Sequence, residues 1–100
     1  MTEKTKGNDE NSIFIGGKPL MNYVTGIVMR FTKFEANEVT VKSRGKFISK
    51  AVDASEVARR KFLSNQNVSI KEIRIGSEEF KNKEDKLINV STLEIVLKKG

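Results

Sequence analysis

The 100-residue sequence contains neither cysteine nor histidine. These residues supply the thiolate and imidazole groups of most nucleophilic enzymes and of Cys/His zinc sites, so disulfides and catalytic Ser-His-Asp or Cys-His groups are excluded. Asp53 and Glu56 lie three residues apart, and two arginines follow them. That spacing is typical of a solvated ion-pair face rather than of a general acid and base. We therefore expect no enzyme activity, no cofactor and no metal site.

Two predicted strand-to-helix junctions, residues 16–19 (GGKP) and 43–46 (SRGK), combine glycine with cationic side chains. Parallel strands send both junctions to the same sheet edge, where helix N-termini offer unpaired N–H groups and lysine or arginine adds charge. The first junction lacks the spacing of a Walker loop, which makes nucleotide hydrolysis improbable. The pattern predicts a phosphate-binding edge. Its expected members are Lys18, Lys42, Arg44, Gly45 and Lys46.

The distribution of charge favours the same interpretation. The chain has 19 Lys and Arg against 13 Asp and Glu, a net charge of +6, and its pI is about 9.7. Residues 17–50 hold seven cations and two carboxylates, which gives +5. A basic domain of this size favours a polyanionic partner, although excess lysine on a solvated surface is also common. Asn22 and Tyr23 could also contact nucleic acid, but Tyr23 fits better as a core residue with a polar tip.

Apolar side chains at steps of three and four predict two helices. The first spans residues 20–33, with Pro19 suited to its start, and the second spans residues 47–63 before a polar stop at 64–67. The predicted apolar stripes are Leu20, Tyr23, Val24, Ile27, Val28, Phe31 and Phe34 in the first helix and Ile48, Ala51, Val52, Ser55, Ala58 and Phe62 in the second. For Phe62, periodicity leaves open whether the ring is buried or exposed for protein contact.

Four strands are predicted at residues 12–15, 38–43, 68–80 and 87–98. The third changes phase between Ile70 and Ile73, which indicates a bulge or a late strand start. The resulting strand, helix, strand, helix, strand, strand order predicts a single α+β domain with a four-stranded mixed sheet and two helices. Strands of ~10 residues run ~33 Å, whereas a domain of this size has a radius of gyration of ~13 Å. The hairpin tip at residues 81–86 should therefore project as an arm.

Residues 1–11 contain two lysines, three acids and no large apolar residue after Met1. This composition predicts a disordered tail before a domain at residues 12–100. The same segment lacks the apolar run of a secretory signal peptide, and no stretch approaches the ~18 apolar residues of a membrane span. We expect a cytoplasmic protein with no membrane partner.

Three blocks of sequence resemble one family. They are residues 15–23 (IGGKPLMNY), residues 44–53 (RGKFISKAVD), and the pair Gly76-Ser77 with Val90-Ser91-Thr92. Over about residues 12–99 the chain resembles the Alba family of archaeal chromatin proteins. The resemblance implies a dimer with this order of elements that coats double-stranded DNA without marked sequence preference, associates with the chromosome, and also binds RNA.

The resemblance also implies roles for particular residues. The dimer body would meet the DNA backbone through Lys18, Arg44 and Lys46, with Lys42 nearby, and the paired arms would reach along the minor groove. The lysines of the arm are Lys81, Lys83 and Lys86. Arg59 and Phe62 would take part in contacts between dimers, which favours an exposed Phe62.

The sequence departs from the family pattern at two places. Gly17 occupies the first of two adjacent lysine positions, so acetylation at that position is impossible, and nothing in the sequence indicates whether Lys18 is modified instead. The arm, residues 77–91, carries three lysines against four acids, where family arms tend to be basic. We expect arm contacts that are weaker, or that are limited to the lysines nearest the tip.

Two rival functions remain open at this point. RNA is the nearer one, because the same phosphate edge would grip A-form helices or structured loops and the fold's relatives include RNA-processing subunits. The other is a protein-interaction module whose basicity is incidental. It predicts that the purified dimer has no affinity for duplexes at physiological salt.

Overall fold

A computed structural model describes residues 11–100 of the chain. The strands are β1 (Ser12–Phe14), β2 (Glu38–Arg44), β3 (Val68–Lys81) and β4 (Leu87–Lys99), and the helices are α1 (Leu20–Thr32) and α2 (Ile48–Val57). A 3₁₀ turn (Gly45–Phe47) precedes α2 and a π-helical turn (Ala58–Phe62) follows it. The predicted tail lies outside the described residues except for Asn11, whose carbonyl oxygen accepts a hydrogen bond from the Thr40 N–H at 2.8 Å.

The four strands form one mixed sheet in the order β1-β2-β4-β3. β1 pairs parallel to β2, whereas β2 with β4 and β3 with β4 are antiparallel. This confirms the predicted fold, with its crossover through α1 and its terminal hairpin. The pairing of β3 with β4 shifts between Ile70 and Glu72, which is the bulge that the phase change indicated.

Both helices pack on one face of the sheet, which we call the inner face. From α1, the stripe residues Val24, Ile27 and Phe31 are buried there, against Val39 and Val41 of β2. From α2 the buried residues are small, namely Ala51, Ala54 and Ser55, which lets this helix approach closely. Among the described residues, neither helix has the length and apolar character needed to cross a membrane.

Phe34 and Val52 do not lie in the core, contrary to the predicted stripes. Phe34 is 58% exposed because α1 ends at Thr32 and the chain turns through Glu35, whose φ is 53°. Val52 is 43% exposed, one helical turn after Ile48, which lines a surface recess together with Ile75 of β3. Phe14, in the first predicted buried strand, is 64% exposed on the opposite face of the sheet.

The second predicted helix is divided into three types of turn. After α2, the Leu63 N–H donates to the carbonyl oxygen of Ala58, five positions earlier, at 2.9 Å. Such a π turn rotates the residues around it relative to a continuous α-helix. As a result Leu63 is fully buried while Phe62 is 51% exposed, which agrees with the exposed interpretation of Phe62.

The β3–β4 hairpin extends beyond the body of the domain. Pairing continues to Lys81 opposite Leu87, and the molecule measures 49 × 33 × 21 Å along its principal axes. At the tip, the Asn82 side-chain oxygen accepts hydrogen bonds from the Glu84 and Lys86 N–H groups at 2.8 and 3.0 Å. The predicted arm is therefore present, and its tip is closed by a hydrogen-bonded turn.

Candidate nucleic-acid interface

The two glycine-containing junctions lie side by side at one end of the sheet. Parallel pairing of β1 with β2 places them there, and Lys50 joins them. From the first turn of α2, its ammonium group donates to the carbonyl oxygens of Gly16 at 2.9 Å and Lys18 at 2.7 Å. In the sequence, Lys50 is one of the seven cations of residues 17–50 and has no predicted contact. Its contacts make it the residue that holds the first junction against the second.

Four cationic side chains surround this pair of junctions, and we call them the basic edge. They are Lys18, Lys42, Arg44 and Lys46. Lys18, Arg44 and Lys46 are exposed and Lys42 is half-buried. Lys42 forms no ion pair with any residue that the structure describes, and its ammonium lies 5.4 Å from the centre of the Phe14 ring. These cations are available to an anion approaching from solvent.

Tyr23 fixes the backbone of the first junction. Its hydroxyl oxygen accepts hydrogen bonds from the N–H groups of Gly16 at 2.9 Å and Lys18 at 3.1 Å. A Cβ atom at Gly16 would lie 3.3 Å from this oxygen, so glycine permits the close approach. The sequence predicted that N–H groups at this junction would bind phosphate, but these two already have a partner. The part of this junction that remains available to contact phosphate is the Lys18 side chain.

Gly45 gives the second junction its shape. Its φ of +59° lies in the left-handed region, which residues other than glycine adopt at a cost of about 1 kcal/mol or more. This conformation lets the chain leave β2 and enter the 3₁₀ turn that carries Lys46. Gly45 therefore has a conformational role, and Lys46, 5.5 Å from the centre of the Phe47 ring, presents the charge.

Arg44 is engaged by residues of the arm. Its guanidinium donates to the Glu78 carboxylate at 3.0 Å, and the two side chains are 63% and 57% exposed. The same group lies 6.0 Å from the centre of the Phe80 ring. Exposed ion pairs contribute only ~0–1 kcal/mol, so a phosphate can displace the carboxylate. The sequence did not predict this pairing because the residues are 34 positions apart.

Part of the basic stretch lies away from the basic edge. Arg30 and Lys33 are at the C-terminal end of α1, ~20 Å along the helix from its first residue. The +5 charge of residues 17–50 is therefore divided between two ends of the domain, contrary to the expectation that it collects at one edge. Asn22 is exposed in the first turn of α1, beside the first junction.

Two cations of β3, Lys71 and Arg74, are paired with carboxylates across the sheet. Lys71 donates to Glu38 at 2.6 Å, and Arg74 contacts Glu94 at 2.8 Å. The hydrogen bond from Lys71 lowers the pKa of Glu38, and the bond with Glu38 raises the pKa of Lys71. The bond with Glu94 likewise raises the pKa of Arg74. These pairs neutralise the middle of the sheet, so its available positive charge lies toward β2.

The remaining predicted site residues lie on two other parts of the molecule. Lys81, Lys83 and Lys86 are exposed at the end of the arm. Phe62 borders a small apolar recess of about 110 Å³ on α1, beside Met21. Arg59 is held by Glu56, with nitrogen-to-oxygen distances of 2.7 and 3.3 Å. None of these residues belongs to the basic edge.

An apolar surface on β3 is exposed to solvent. Ile70, Ile73 and Ile75 of β3 point to the inner face, but the helices do not reach them, and they are 37%, 56% and 82% exposed. We call these residues, with Val52 beside them on α2, the isoleucine strip. β3 is the edge strand of the sheet. One side of its backbone is therefore unpaired within the sheet, in addition to the exposed isoleucine side chains.

Comparison with known proteins gives concordant results. The family profile described as Alba matches residues 11–77. A protein of Methanocella arvoryzae named "DNA/RNA-binding protein Alba" is 47% identical over 91% of this chain and 92% of its own length. One of the same name from Methanococcus maripaludis is 43% identical over 88% of this chain and 97% of its own. The solved structure of Alba from Thermoplasma volcanium superposes with a TM-score of 0.81 at 43% identity, over 89% of this chain and all of that one.

Proposed function

The chain belongs to the Alba family of DNA/RNA-binding proteins, and on that premise we propose that it binds double-stranded DNA through the phosphate backbone and helps package the archaeal chromosome. The observation that carries the proposal is the basic edge. Three of its four cations are exposed, and Lys50 holds the two junctions together so that the charges form one surface. The curated relatives are named for binding rather than for an enzymatic reaction.

The type of contact favours phosphates over base edges. Lysine and arginine projecting from short turns suit phosphate oxygens, whereas reading bases in the major groove requires an inserted helix or ribbon. The arm is a two-stranded ribbon, and its lysines lie at the far end, away from the basic edge. We therefore assign the main affinity to Lys18, Lys42, Arg44 and Lys46. Lys81, Lys83 and Lys86 add contacts along the duplex, and Asn22 lies where it can add a neutral hydrogen bond.

We further propose that the functional unit is a homodimer formed through the isoleucine strip. Burial of these side chains against a second copy would remove a continuous apolar surface from water. Two copies would also double the number of phosphate contacts. Higher assembly on DNA would use Phe62 and Arg59, since Phe62 presents an exposed ring beside an apolar recess. Sedimentation of F62A bound to long duplexes tests that step, and unchanged assembly would exclude Phe62 from it.

Arg44→Gln tests the backbone mechanism. The dimer would lose one charge-assisted hydrogen bond of ~1.5 kcal/mol in each protomer, so binding should weaken roughly 100-fold, and equally for duplexes of different sequence. Glu78→Gln should do the opposite and tighten binding, because it removes a negative charge and the competitor for Arg44. The measurement is the Kd of each variant for several duplexes.

Arg60→Gln is the matched control, since Arg60 is exposed and ion-paired but lies beyond α2. It should change affinity less than twofold. A loss from R44Q that depends on duplex sequence, or a loss as large from R60Q, would contradict binding through the basic edge.

RNA is the second candidate, supported by the relatives' printed name. The same cations would contact the phosphates of structured RNA, and location on the chromosome would then not be expected. Crosslinking in cells followed by typing of the bound nucleic acid separates the two. Recovery of RNA without DNA would overturn the chromosomal function.

A further inference from the structure

The face of the sheet away from the helices, which we call the outer face, carries two exposed phenylalanines. Phe14 is 64% exposed and Phe80 is 43% exposed. Across the sheet, Phe14 of β1 pairs with Lys42 of β2, and Lys42 pairs with Glu94 of β4. Phe80 of β3 pairs with Ile88 of β4, which is an even number of residues from Glu94. Because side chains alternate between faces with a period of two, both rings project from the same face.

Each of these rings lies beside a cation of the basic edge. The Lys42 ammonium is 5.4 Å from the centre of the Phe14 ring, and the Arg44 guanidinium is 6.0 Å from the centre of the Phe80 ring. Between the two strands that carry the rings lies a groove of about 430 Å³, a size within the range of ligand sites. The residues that line it include Phe14, Lys42, Arg44, Glu78, Thr92 and Glu94.

The carboxylates of the groove do not oppose an anion. Glu78 is paired with Arg44, and Glu94 is paired with Arg74 outside the groove. Lys42 has no carboxylate partner among the residues that the structure describes. The groove therefore combines the exposed Phe14 ring with positive charge that is free to pair with a ligand, and the Phe80 ring lies next to it, beside the guanidinium of Arg44.

We propose that this groove is a binding site for unpaired nucleobases of single-stranded nucleic acid, which stack on Phe14 and Phe80 while Lys42 and Arg44 contact the adjoining phosphates. The inference rests on the proposed nucleic-acid-binding function and extends it to a second class of substrate. A single strand offers π-faces next to phosphates, which is the combination that aromatic and cationic side chains recognise. A duplex keeps its bases stacked inside, so it can use the cations but not the rings.

The alternative occupants fit the outer face less well. A second copy of the chain is accommodated by the isoleucine strip on the inner face, which leaves the outer face free. An apolar peptide would bury the two rings but would also desolvate Lys42 without giving it an anionic partner, which is costly. Nucleic acid supplies both an aromatic face and an anion.

The test uses Phe14→Leu and Phe80→Leu in the full chain, which remove each ring and keep an apolar side chain. Kd is measured by fluorescence anisotropy for an unstructured RNA strand of about 12 alternating uridines and cytidines, for the matching DNA strand, and for a duplex. Each variant should lose about fivefold or more in single-strand affinity, because one stacked base contributes at least that factor. Duplex affinity should stay within twofold of wild type. A loss for both strands assigns the site to nucleobases in general, and a loss for one identifies the sugar it requires.

Phe34→Leu is the matched control, because Phe34 is 58% exposed and has Arg30 5.9 Å from its ring centre, at the other end of α1. It should leave both affinities unchanged. Single-strand affinity that is unchanged in F14L and F80L, or that falls equally in F34L, overturns the inference. So does a lower thermal stability with unchanged affinity, since the rings would then pack against the chain or a second copy. If wild type binds no duplex, the proposed function fails instead.

Discussion

At the scale of single residues, the account depends on how the first junction is held. Tyr23 binds two of its N–H groups and Lys50 binds two of its carbonyl oxygens. The sequence predicted Tyr23 as a core residue with a polar tip, and the structure confirms this. The joint action of Tyr23 and Lys50 was not predictable, because it depends on α1 and α2 meeting at the junction. This contact leaves the Lys18 side chain as the part of the junction that projects to solvent.

Tyr23→Phe tests this arrangement. The variant removes the acceptor for the Gly16 and Lys18 N–H groups and should lower the free energy of unfolding by roughly 1–2 kcal/mol. Hydrogen exchange at these two amides, measured by NMR, should become faster than global destabilisation alone explains. The Val41 amide in the core strand provides the reference. Exchange at Gly16 and Lys18 that only follows Val41 would show that the hydroxyl does not restrain the junction.

At the scale of elements, periodicity predicted the ends of the helices and strands to within one residue, except the end of α2, because most elements bury one face and their apolar residues recur at regular steps. The failures have local causes. A π turn after α2 is not encoded in apolar spacing, and Phe34 lies past the end of α1. The isoleucines of β3 are exposed in the part of the chain that the structure describes, which apolar spacing alone does not indicate. The basic edge was predicted because parallel pairing alone places both junctions together.

The end of α2 gives a prediction on pH. Hydrogen bonds from Arg60 and Arg59 lower the pKa of Glu56 from its ordinary value of 4.5. A lowered carboxyl pKa stabilises the fold above that value, and the contribution is lost as pH falls through the folded-state pKa. Glu56→Gln should therefore lower stability at pH 7 by roughly 0.5–1 kcal/mol, the sum expected of two surface pairs.

Urea denaturation at pH 7 and below pH 4.5 measures this effect. The difference between wild type and E56Q should shrink at the lower pH. Asp53→Asn is the control, because Asp53 is exposed on α2 and makes no ion pair with the residues described. A constant difference between wild type and E56Q would mean that the carboxylate charge does not act through the arginines.

At the scale of the whole molecule, our proposals assign assembly to the isoleucine strip and nucleic-acid binding to the basic edge, which lie on different parts of the domain. The strip lies on the inner face beside α2, and the edge lies at the junctions and on the outer face. A dimer formed through the strip would leave both copies of the basic edge exposed. The family resemblance implied a dimer from the sequence, but the surface that we propose for it is recognisable only in the three-dimensional arrangement.

Ile75→Glu tests the assembly surface. Ile75 is 82% exposed, so a charge there should leave the fold of one chain intact while opposing burial against a second copy. Sedimentation velocity should show a shift from dimer to monomer, and duplex affinity should fall because each particle carries half the contacts. Phe34→Glu adds the same charge at another exposed apolar side chain, away from the strip, and should remain dimeric. A dimeric I75E would place the interface elsewhere.

The salt dependence of duplex affinity tests the central claim of a phosphate-binding basic edge most directly. If a dimer neutralises about 6 to 10 phosphates, log affinity should fall linearly with log salt and affinity should drop roughly 10³- to 10⁵-fold between about 50 and 200 mM. Arg44→Gln should reduce the magnitude of the slope by about 2, one contact for each protomer. A slope near zero, or the same slope in wild type and R44Q, would contradict the account.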